Sequence, residues 1–291
     1  MIAVDWGTSN FRAFRLDENG RILDRRSSPL GILRMGSAGF TEILRSQTAP
    51  WLHGGEKRIL LCGMVGSRQG WVEAPYLPCP VGLADLAAAV VKIPFDGAEV
   101  LLVPGVAGTS SDGIPEVMRG EETEAMGIMD TCNGEGLVCF PGTHSKWIQL
   151  HDRKIASFIT YMTGELYEAL RTNTILKRTM VASAPFNEAA FLRGIERSAS
   201  SGGLLRHLFG VRTLTLMNQL DEETSPSYLS GLLIGHEVRS AMPQPSLVHL
   251  VGAAGLCSYY ELAIQKCGGT VTVEDEDAAA RGLTAIGRRL R

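Results

Sequence analysis

The segment Ile2–Arg12 reads IAVDWGTSNFR, and its pattern decides the fold. Ile2, Ala3 and Val4 form an apolar strand that ends on the carboxylate of Asp5, and Trp6-Gly7-Thr8-Ser9-Asn10 follows as a tight turn. Phe11–Asp17 then reads as a second strand, Asp17-Glu18-Asn19-Gly20 as a hairpin turn, and Arg21–Arg26 as the return strand. A carboxylate at the end of a buried strand is costly unless a cation or hydrogen-bond donors satisfy it. Gly7 lets the backbone approach an anion, while Thr8, Ser9 and Asn10 add amides and side-chain donors for phosphate oxygens. Asp5 suits Mg²⁺ held through water, because Mg²⁺ dehydrates reluctantly. A β-turn capped by an Asx residue fits the same letters, so the reading needs support elsewhere.

That support begins after Asp130–Gly136, where the pattern restarts. Gly134–Phe140 reads as a strand, Pro141-Gly142-Thr143-His144-Ser145 as a tight turn and Lys146–Leu150 as a strand. His151-Asp152-Arg153 turns the chain, and Lys154–Tyr161 returns it. Two hairpin openings, each with a Gly-Thr turn after its first strand, suggest a duplicated unit in pattern rather than in sequence identity. Lys146 could neutralise phosphate charge beside this turn, although a solvated turn lysine is the plainer alternative. A third loop, Val251-Gly252-Ala253-Ala254-Gly255-Leu256, follows the strand Leu247–Val251 and opens the helix Ala254–Cys267. Its small residues admit a flat ring or a phosphate against a helix N-terminus, and tight helix–strand packing would ask for the same residues.

Between these loops the sequence predicts helices at Phe40–Leu52, Leu83–Val91 and Met118–Met129, with strands at Lys57–Val65 and Ala98–Val103. The second half adds helices at Gly164–Thr172, Asn187–Leu208 and Ser227–Met242, then strand Val271–Val273 and a closing helix. Alternating strands and helices predict an α/β fold with parallel pairing and ligand-facing loops at the strand ends.

Composition narrows the function. With 291 residues, 45% apolar and 20% charged, the chain can bury a large core. A net charge of -3 argues against nucleic acid as a partner, and Arg288, Arg289 and Arg291 read as a solvated last helical turn. No apolar run approaches the roughly 20 residues of a membrane span, and the stretch before Asp5 is too short for a signal-peptide core. Cys62, Cys79, Cys132, Cys139, Cys257 and Cys267 show no CxxC spacing and read as reduced thiols of a cytoplasmic protein. The histidines include no HExxH pair, and neither a Walker A loop nor a GxGxxG is present.

Further segments are distinctive: GMVGSRQGW (Gly63–Trp71), APYL (Ala74–Leu77), VMRGEET (Val117–Thr123), PGTHSKW (Pro141–Trp147), MTGEL (Met162–Leu166) and LSGLLIGHE (Leu229–Glu237). With IAVDWGTSNFR and the Gly252–Leu256 turn, they make the chain resemble the actin, heat-shock ATPase and sugar-kinase superfamily. Within it, the resemblance along essentially the whole length is to the 2-dehydro-3-deoxygalactonokinases. The resemblance implies two ribonuclease-H-like domains, 1–133 and 134–291, with a nucleotide cleft between them and a last helix free to pack back on the first. It implies ATP and Mg²⁺ as cofactors and phosphorylation of a sugar acid, 2-dehydro-3-deoxygalactonate, at O6. ATP contacts fall on Gly7, Thr8, Ser9, Asn10, Gly142, Thr143, His144, Lys146, Gly252, Ala253, Ala254 and Gly255, with the metal on Asp5. Pro141 stands where the superfamily's second phosphate loop often has an acidic residue, so no second loop carboxylate on the metal is expected.

Phosphoryl transfer needs in-line positioning and charge neutralisation, and positioning alone can supply about 7–11 kcal/mol. A base adds about 10²–10⁴-fold for a hydroxyl nucleophile. Arg119-Gly120-Glu121-Glu122-Thr123-Glu124 offers adjacent carboxylates at a helix start that point in different directions. Glu122 is the expected base and Glu121 the metal or water ligand, against the plainer role of both as complements to the helix dipole. Ser67, Arg68 and Arg119 are expected to clamp the substrate carboxylate and keto group, with Arg12 and Arg34 behind them. Trp6 and Trp71 fit either a sugar-pocket wall or the core, and Glu165 fits either a helix cap or a closing contact. The alternatives are an exopolyphosphatase-like phosphohydrolase that activates water with Glu121 or Glu122, and a non-catalytic ATP-binding regulator. A regulator could dispense with Asp5 or the acidic pair, and both are present. Epimer preference and a homodimer stay open.

Overall fold

The computed structural model describes residues 1–34, 39–243 and 246–290, so Arg291 of the expected basic end lies outside the described residues. In chain order the first part holds β1 (Ile2–Trp6), β2 (Phe11–Leu16), β3 (Ile22–Ser28), α1 (Phe40–His53) and β4 (Arg58–Cys62). There follow β5 (Tyr76–Pro78), β6 (Val81–Gly82), α2 (Leu83–Ala88), β7 (Val91–Ile93), β8 (Glu99–Leu102), β9 (Gly105–Thr109), β10 (Pro115–Met118) and α3 (Glu121–Ile128). Next come β11 (Gly136–Phe140), β12 (Ser145–His151), β13 (Lys154–Tyr161), α4 (Thr163–Asn173), α5 (Glu188–Ser198) and α6 (Gly203–Leu216). The chain finishes with α7 (Ser225–Ala241), β14 (Leu247–Leu250), α8 (Ala254–Lys266), β15 (Thr270–Val273) and α9 (Ala278–Gly287).

By internal packing the chain forms two units: Met1–Gly136 with Ile148–Phe158 and Asp275–Arg291, and Leu137–Trp147 with Ile159–Glu274. The chain thus leaves the first unit after Gly136 and returns to it at Ile148–Phe158 and at Asp275–Arg291.

In the first unit a six-stranded sheet runs β3-β2-β1-β4-β8-β7. β1, β4 and β8 are parallel, flanked by antiparallel β2, β3 and β7. Strand side chains alternate between faces. Ile2, Val4, Trp6, Ile59, Leu61, Val100 and Leu102 therefore share one face and pack with Ile43, Leu44 and Trp51 of α1. The same alternation sends Asp5 to the other face, with Ala3. There α9 lies against β1 and β4 and in turn carries α3. The two helices meet backbone to backbone. A Cβ on Gly127 would sit 1.9 Å from the Ala278 carbonyl oxygen, and one on Gly282 would sit 1.9 Å from that of Thr123. Only glycine permits that approach, and it fixes where α3 begins.

A three-stranded sheet, β10-β9-β5, was not legible in the sequence, because its strands are short and interrupted by Pro78, Gly105, Gly108 and Pro115. Met118 ends β10, so the expected helix Met118–Met129 starts instead at Glu121, after Gly120 at φ 119°. The expected strand Lys57–Val65 stops at Cys62 and passes into the tight turn Met64–Gly66.

The second unit carries a parallel core in which β11 pairs with β14 and β14 with β15. Cys139, Val248 and Leu250 pack with Phe191 and Ile195 of α5, Ile234 and Val238 of α7, and Tyr260, Ala263 and Ile264 of α8. The expected helix Asn187–Leu208 is two helices, α5 and α6. The run Ala199-Ser200-Ser201-Gly202 separates them, with Gly202 and Gly203 at positive φ.

Candidate active site

Site residues in the first unit gather where parallel strands end. β1 delivers Asp5, β4 ends at Cys62 and turns through Gly63, and α3 opens after Gly120. A Cβ on Gly63 would lie 3.2 Å from Asp5 Oδ1, and one on Gly120 would lie 3.4 Å from Gly63 Cα, so the three chain segments touch. Burial raises the Asp5 carboxyl to about 6; Arg12 opposes the shift and Glu121 adds to it. Arg12 Nη1 stands 3.9 Å from Asp5 Oδ2, its partner across the β1–β2 ladder. Burial also raises Glu124 well above its ordinary value, with the charges of Asp5 and Glu121 adding to the effect. Glu121 and Glu124 are three residues apart and share a helix face.

Glu122 is held by its own helix start. It is fully buried, with Oε2 accepting from the Gly120 amide at 2.6 Å and Oε1 from Thr123 Oγ1 at 2.9 Å. Burial, then the neighbouring Glu121 charge, raises its carboxyl to about 8. Glu121 is partly exposed, and its Oε2 accepts from the Arg119 amide at 3.3 Å.

The turn after β1 is closed by Gly7, whose amide donates to the Asn10 carbonyl at 2.9 Å. The Gly7 and Thr8 carbonyls accept from Ile32 and Leu33, so the turn is braced from behind. The amides of Thr8, Ser9 and Asn10 donate to no carbonyl among the described residues. Such a turn has donors to offer an anion.

Of the expected clamps, Ser67 and Arg119 are 6% and 7% exposed. Arg119 Nη2 donates to the Ala74 carbonyl at 2.8 Å, and its guanidinium lies 4.3 Å over the Tyr76 ring. Its Nε and Nη1, and the Ser67 hydroxyl, have no hydrogen-bond partner among the described residues. Buried donors of this kind call for an acceptor. Arg68 and Arg34 are exposed. Trp6 belongs to the core, its indole donating to the Leu30 carbonyl at 2.8 Å, whereas Trp71 stacks on Phe40 at the edge of that core.

The second unit brings together the other two loops. The turn at 141–145 follows β11 and the turn at 252–255 follows β14, and a Cβ on Gly252 would lie 3.7 Å from the Pro141 carbonyl oxygen. Thr143, His144, Ala253, Ala254 and Gly255 are exposed. Lys146 is buried, with Nζ 3.5 Å from the His144 carbonyl. The start of α4 seats on the first turn: the Glu165 amide donates to the Thr143 carbonyl at 3.0 Å, and the Glu165 side chain pairs with His144. A Cβ on Gly164 would stand 2.4 Å from the Gly142 carbonyl oxygen.

Beside these turns lies a cavity of about 470 Å³. Gly142 and Thr143 line it, and so do Tyr167, Phe186, Tyr259 and Ser230, which sequence reasoning missed. Phe186 stacks on Tyr259 at 4.6 Å. These aromatics sit on separate elements with ordinary core-like spacing, and no signal in the sequence joins them.

A carboxylate at a parallel strand end and a hairpin opening each unit, the first with a donor-rich turn, are features of sugar kinases in the actin-like ATPase class. The chain belongs to the 2-keto-3-deoxy-galactonokinase family, whose profile matches residues 5–286. A 2-dehydro-3-deoxygalactonokinase from Escherichia coli (strain K12) is 34% identical over 291 residues, covering 98% of this chain and 96% of that one. The crystal structure of a Sinorhizobium meliloti protein assigned as a 2-dehydro-3-deoxygalactonokinase is similar with a TM-score of 0.91 and 36% identity, covering 99% of this chain and 98% of that one. The fold alone recurs in the activator of 2-hydroxyisocaproyl-CoA dehydratase from Clostridium difficile, with a TM-score of 0.53, 12% identity and coverage of 99% and 95%. A carbohydrate kinase family implies use of ATP, and membership favours that activity over the phosphohydrolase and regulator alternatives. Among the described residues, no helix is long and apolar enough to cross a membrane.

Proposed function

We propose that the chain transfers the γ-phosphoryl group of Mg·ATP to O6 of 2-dehydro-3-deoxygalactonate, with Glu121 as the general base. The observation that carries this reading is the carboxylate cluster at the Gly63 corner. The charges of Asp5, Glu121 and Glu124 act on one another there, while Glu122 places its oxygens on Gly120 and Thr123. The sequence reading gave Glu122 the base and Glu121 the metal; the burial of Glu122 supports the reverse emphasis. Carboxylates raised by burial and mutual repulsion would be relieved by a divalent cation nearby. Asp5 would hold Mg²⁺ through water, and the cation would neutralise charge on the transferred group.

Arg119 and Ser67 bind the substrate's carboxylate and keto oxygens in this reading, because their buried donors lack partners. Exposed Arg68 and Arg12 add charge at the margin. The turn at 7–10 receives phosphate oxygens on its amides. Within the second unit, the turns at 142–146 and 252–255 are nucleotide contacts in this reading, and the cavity lined by Tyr167, Phe186 and Tyr259 suits the adenine. The test is a pair of variants at saturating Mg·ATP and sugar acid. Glu121→Gln is expected to lower kcat by about 10²-fold or more. Glu122→Gln should stay within about tenfold of wild type, since it removes no group from the reacting atoms. The opposite ranking would return the base to Glu122.

A further inference from the structure

Helix α7 carries a carboxylate into the core of the second unit. Glu237 is 3% exposed. Its Oε1 accepts from Trp147 Nε1 at 2.8 Å, and its Oε2 accepts from the Tyr260 hydroxyl at 2.8 Å. The Ser145 hydroxyl stands 3.3 Å from the same Oε2 and 2.7 Å from the Tyr260 oxygen. The Thr163 side chain adds another hydrogen bond. Burial pushes the Glu237 carboxyl above its ordinary range, and these donors oppose the push.

A buried carboxylate is a poor choice where packing alone is required, because an apolar residue of similar volume costs less. What Glu237 gains is placement, because its donors come from the pieces that frame the nucleotide end of the unit. Ser145 and Trp147 begin β12 directly after the turn at 141–144. Thr163 opens α4, whose next residues rest on Gly142 and Thr143. Tyr260 lies on α8, one helix after the Gly252 turn. Thr163 and Tyr260 also line the cavity, together with Leu233 and Ile234 from the turn of α7 that precedes Glu237. One carboxylate therefore joins the phosphate turn, the α4 start and α8 through directional bonds, where apolar contacts alone would leave them free to slide.

We infer that Glu237 is a positioning residue for nucleotide binding, fixing the Gly142–Ser145 turn against the cavity walls. It touches no reacting atom, and the inference rests on the reading of this cavity as the nucleotide site. The sugar-acid contacts assigned to Ser67 and Arg119 lie in the first unit.

The test is calorimetric titration of Mg·ATP into the full-length protein, wild type and variants, alongside steady-state kinetics. Glu237→Leu is expected to raise the ATP Kd at least tenfold. Glu237→Gln, which can still accept from Trp147 and meet the two hydroxyls, should stay within threefold. The KM for the sugar acid at saturating ATP should move less than threefold in both. A purely structural residue would lower thermal stability and active fraction while leaving ATP Kd unchanged, and that result would overturn the inference. If Glu237→Leu fails to fold, Ser145→Ala and Trp147→Phe each remove one arm of the network. A rise in ATP Kd of threefold or more in both supports the inference, and any lesser change overturns it. Ser230→Trp, which fills the cavity, separates the two readings. If it leaves ATP Kd unchanged the nucleotide assignment fails; if it weakens ATP while the Glu237 variants do not, only the positioning role fails.

Discussion

Replacing Glu122 with glutamine gives the sharpest quantitative test of the first unit. The carboxyl is fully buried and raised from 4.5 to about 8, chiefly by burial and then by Glu121. A group raised in the folded state binds its proton more tightly there than in the unfolded chain. Its contribution is therefore fully present below pH 4.5 and is lost as pH rises through about 8. The shift corresponds to a slope of roughly 1.4 kcal/mol per pH unit and a ceiling of about 5 kcal/mol; with about half lost to relaxation around the site, about 2–3 kcal/mol is expected. Glutamine resembles the protonated acid but does not titrate. Glu122→Gln should thus be near wild type or slightly weaker at pH 5, and more stable than wild type by about 2–3 kcal/mol at pH 8.5. Urea unfolding in metal-free buffer, followed by tryptophan fluorescence, measures this directly. Trp6, Trp51 and Trp71 all lie in the first unit, so the signal comes mainly from there. Parallel pH dependences for the two proteins would refute the burial-driven shift.

Other perturbations read other parts of the site. Arg119→Lys removes the guanidinium fork and should raise the sugar-acid KM about 10–100-fold, equivalent to about 1.5–3 kcal/mol, with ATP KM unchanged in initial-rate assays. Gly282→Ala places a Cβ 1.9 Å from the Thr123 carbonyl oxygen, so α3 and α9 must separate. A loss of roughly 1–3 kcal/mol in thermal or urea unfolding is expected, with a fall in kcat as Glu121 moves. In the second unit, burial, then His207 and Arg239, lowers the His236 pKa below its usual 6.5. A lowered histidine contributes stability above pH 6.5 that is lost as pH falls, so His236→Gln should flatten the acid limb of a thermal-melting profile.

Much of this site could be read from the order of residues, and the rest depended on helix phase and long-range packing. Asp5 and its turn were legible because a strand ending in a carboxylate, followed by Gly-Thr-Ser-Asn, has few bland explanations that also restart at residue 134. The different surroundings of Glu121 and Glu122 were not legible. Adjacent helix residues differ by about 100° in direction, and EETEAMGI places no clear apolar face to set the phase. The phase comes from Gly127 and Gly282, which lock α3 onto α9 from far along the chain. Tyr167 of α4, Phe186 of the loop before α5 and Tyr259 of α8 converge, and spacing rules carry no information about such meetings. Glu237 was visible within LSGLLIGHE but silent, since a helix glutamate is ordinarily solvated and only its donors in β12, α4 and α8 reveal otherwise.

The most direct measurement of the central claim is coupled ADP release from Mg·ATP with 2-dehydro-3-deoxygalactonate, its gluconate epimer, or no acceptor. Strong stimulation by the galactonate compound, abolished about 10²-fold or more in Glu121→Gln, is the predicted result. Equal ADP release without acceptor would contradict it and make the chain an ATP hydrolase.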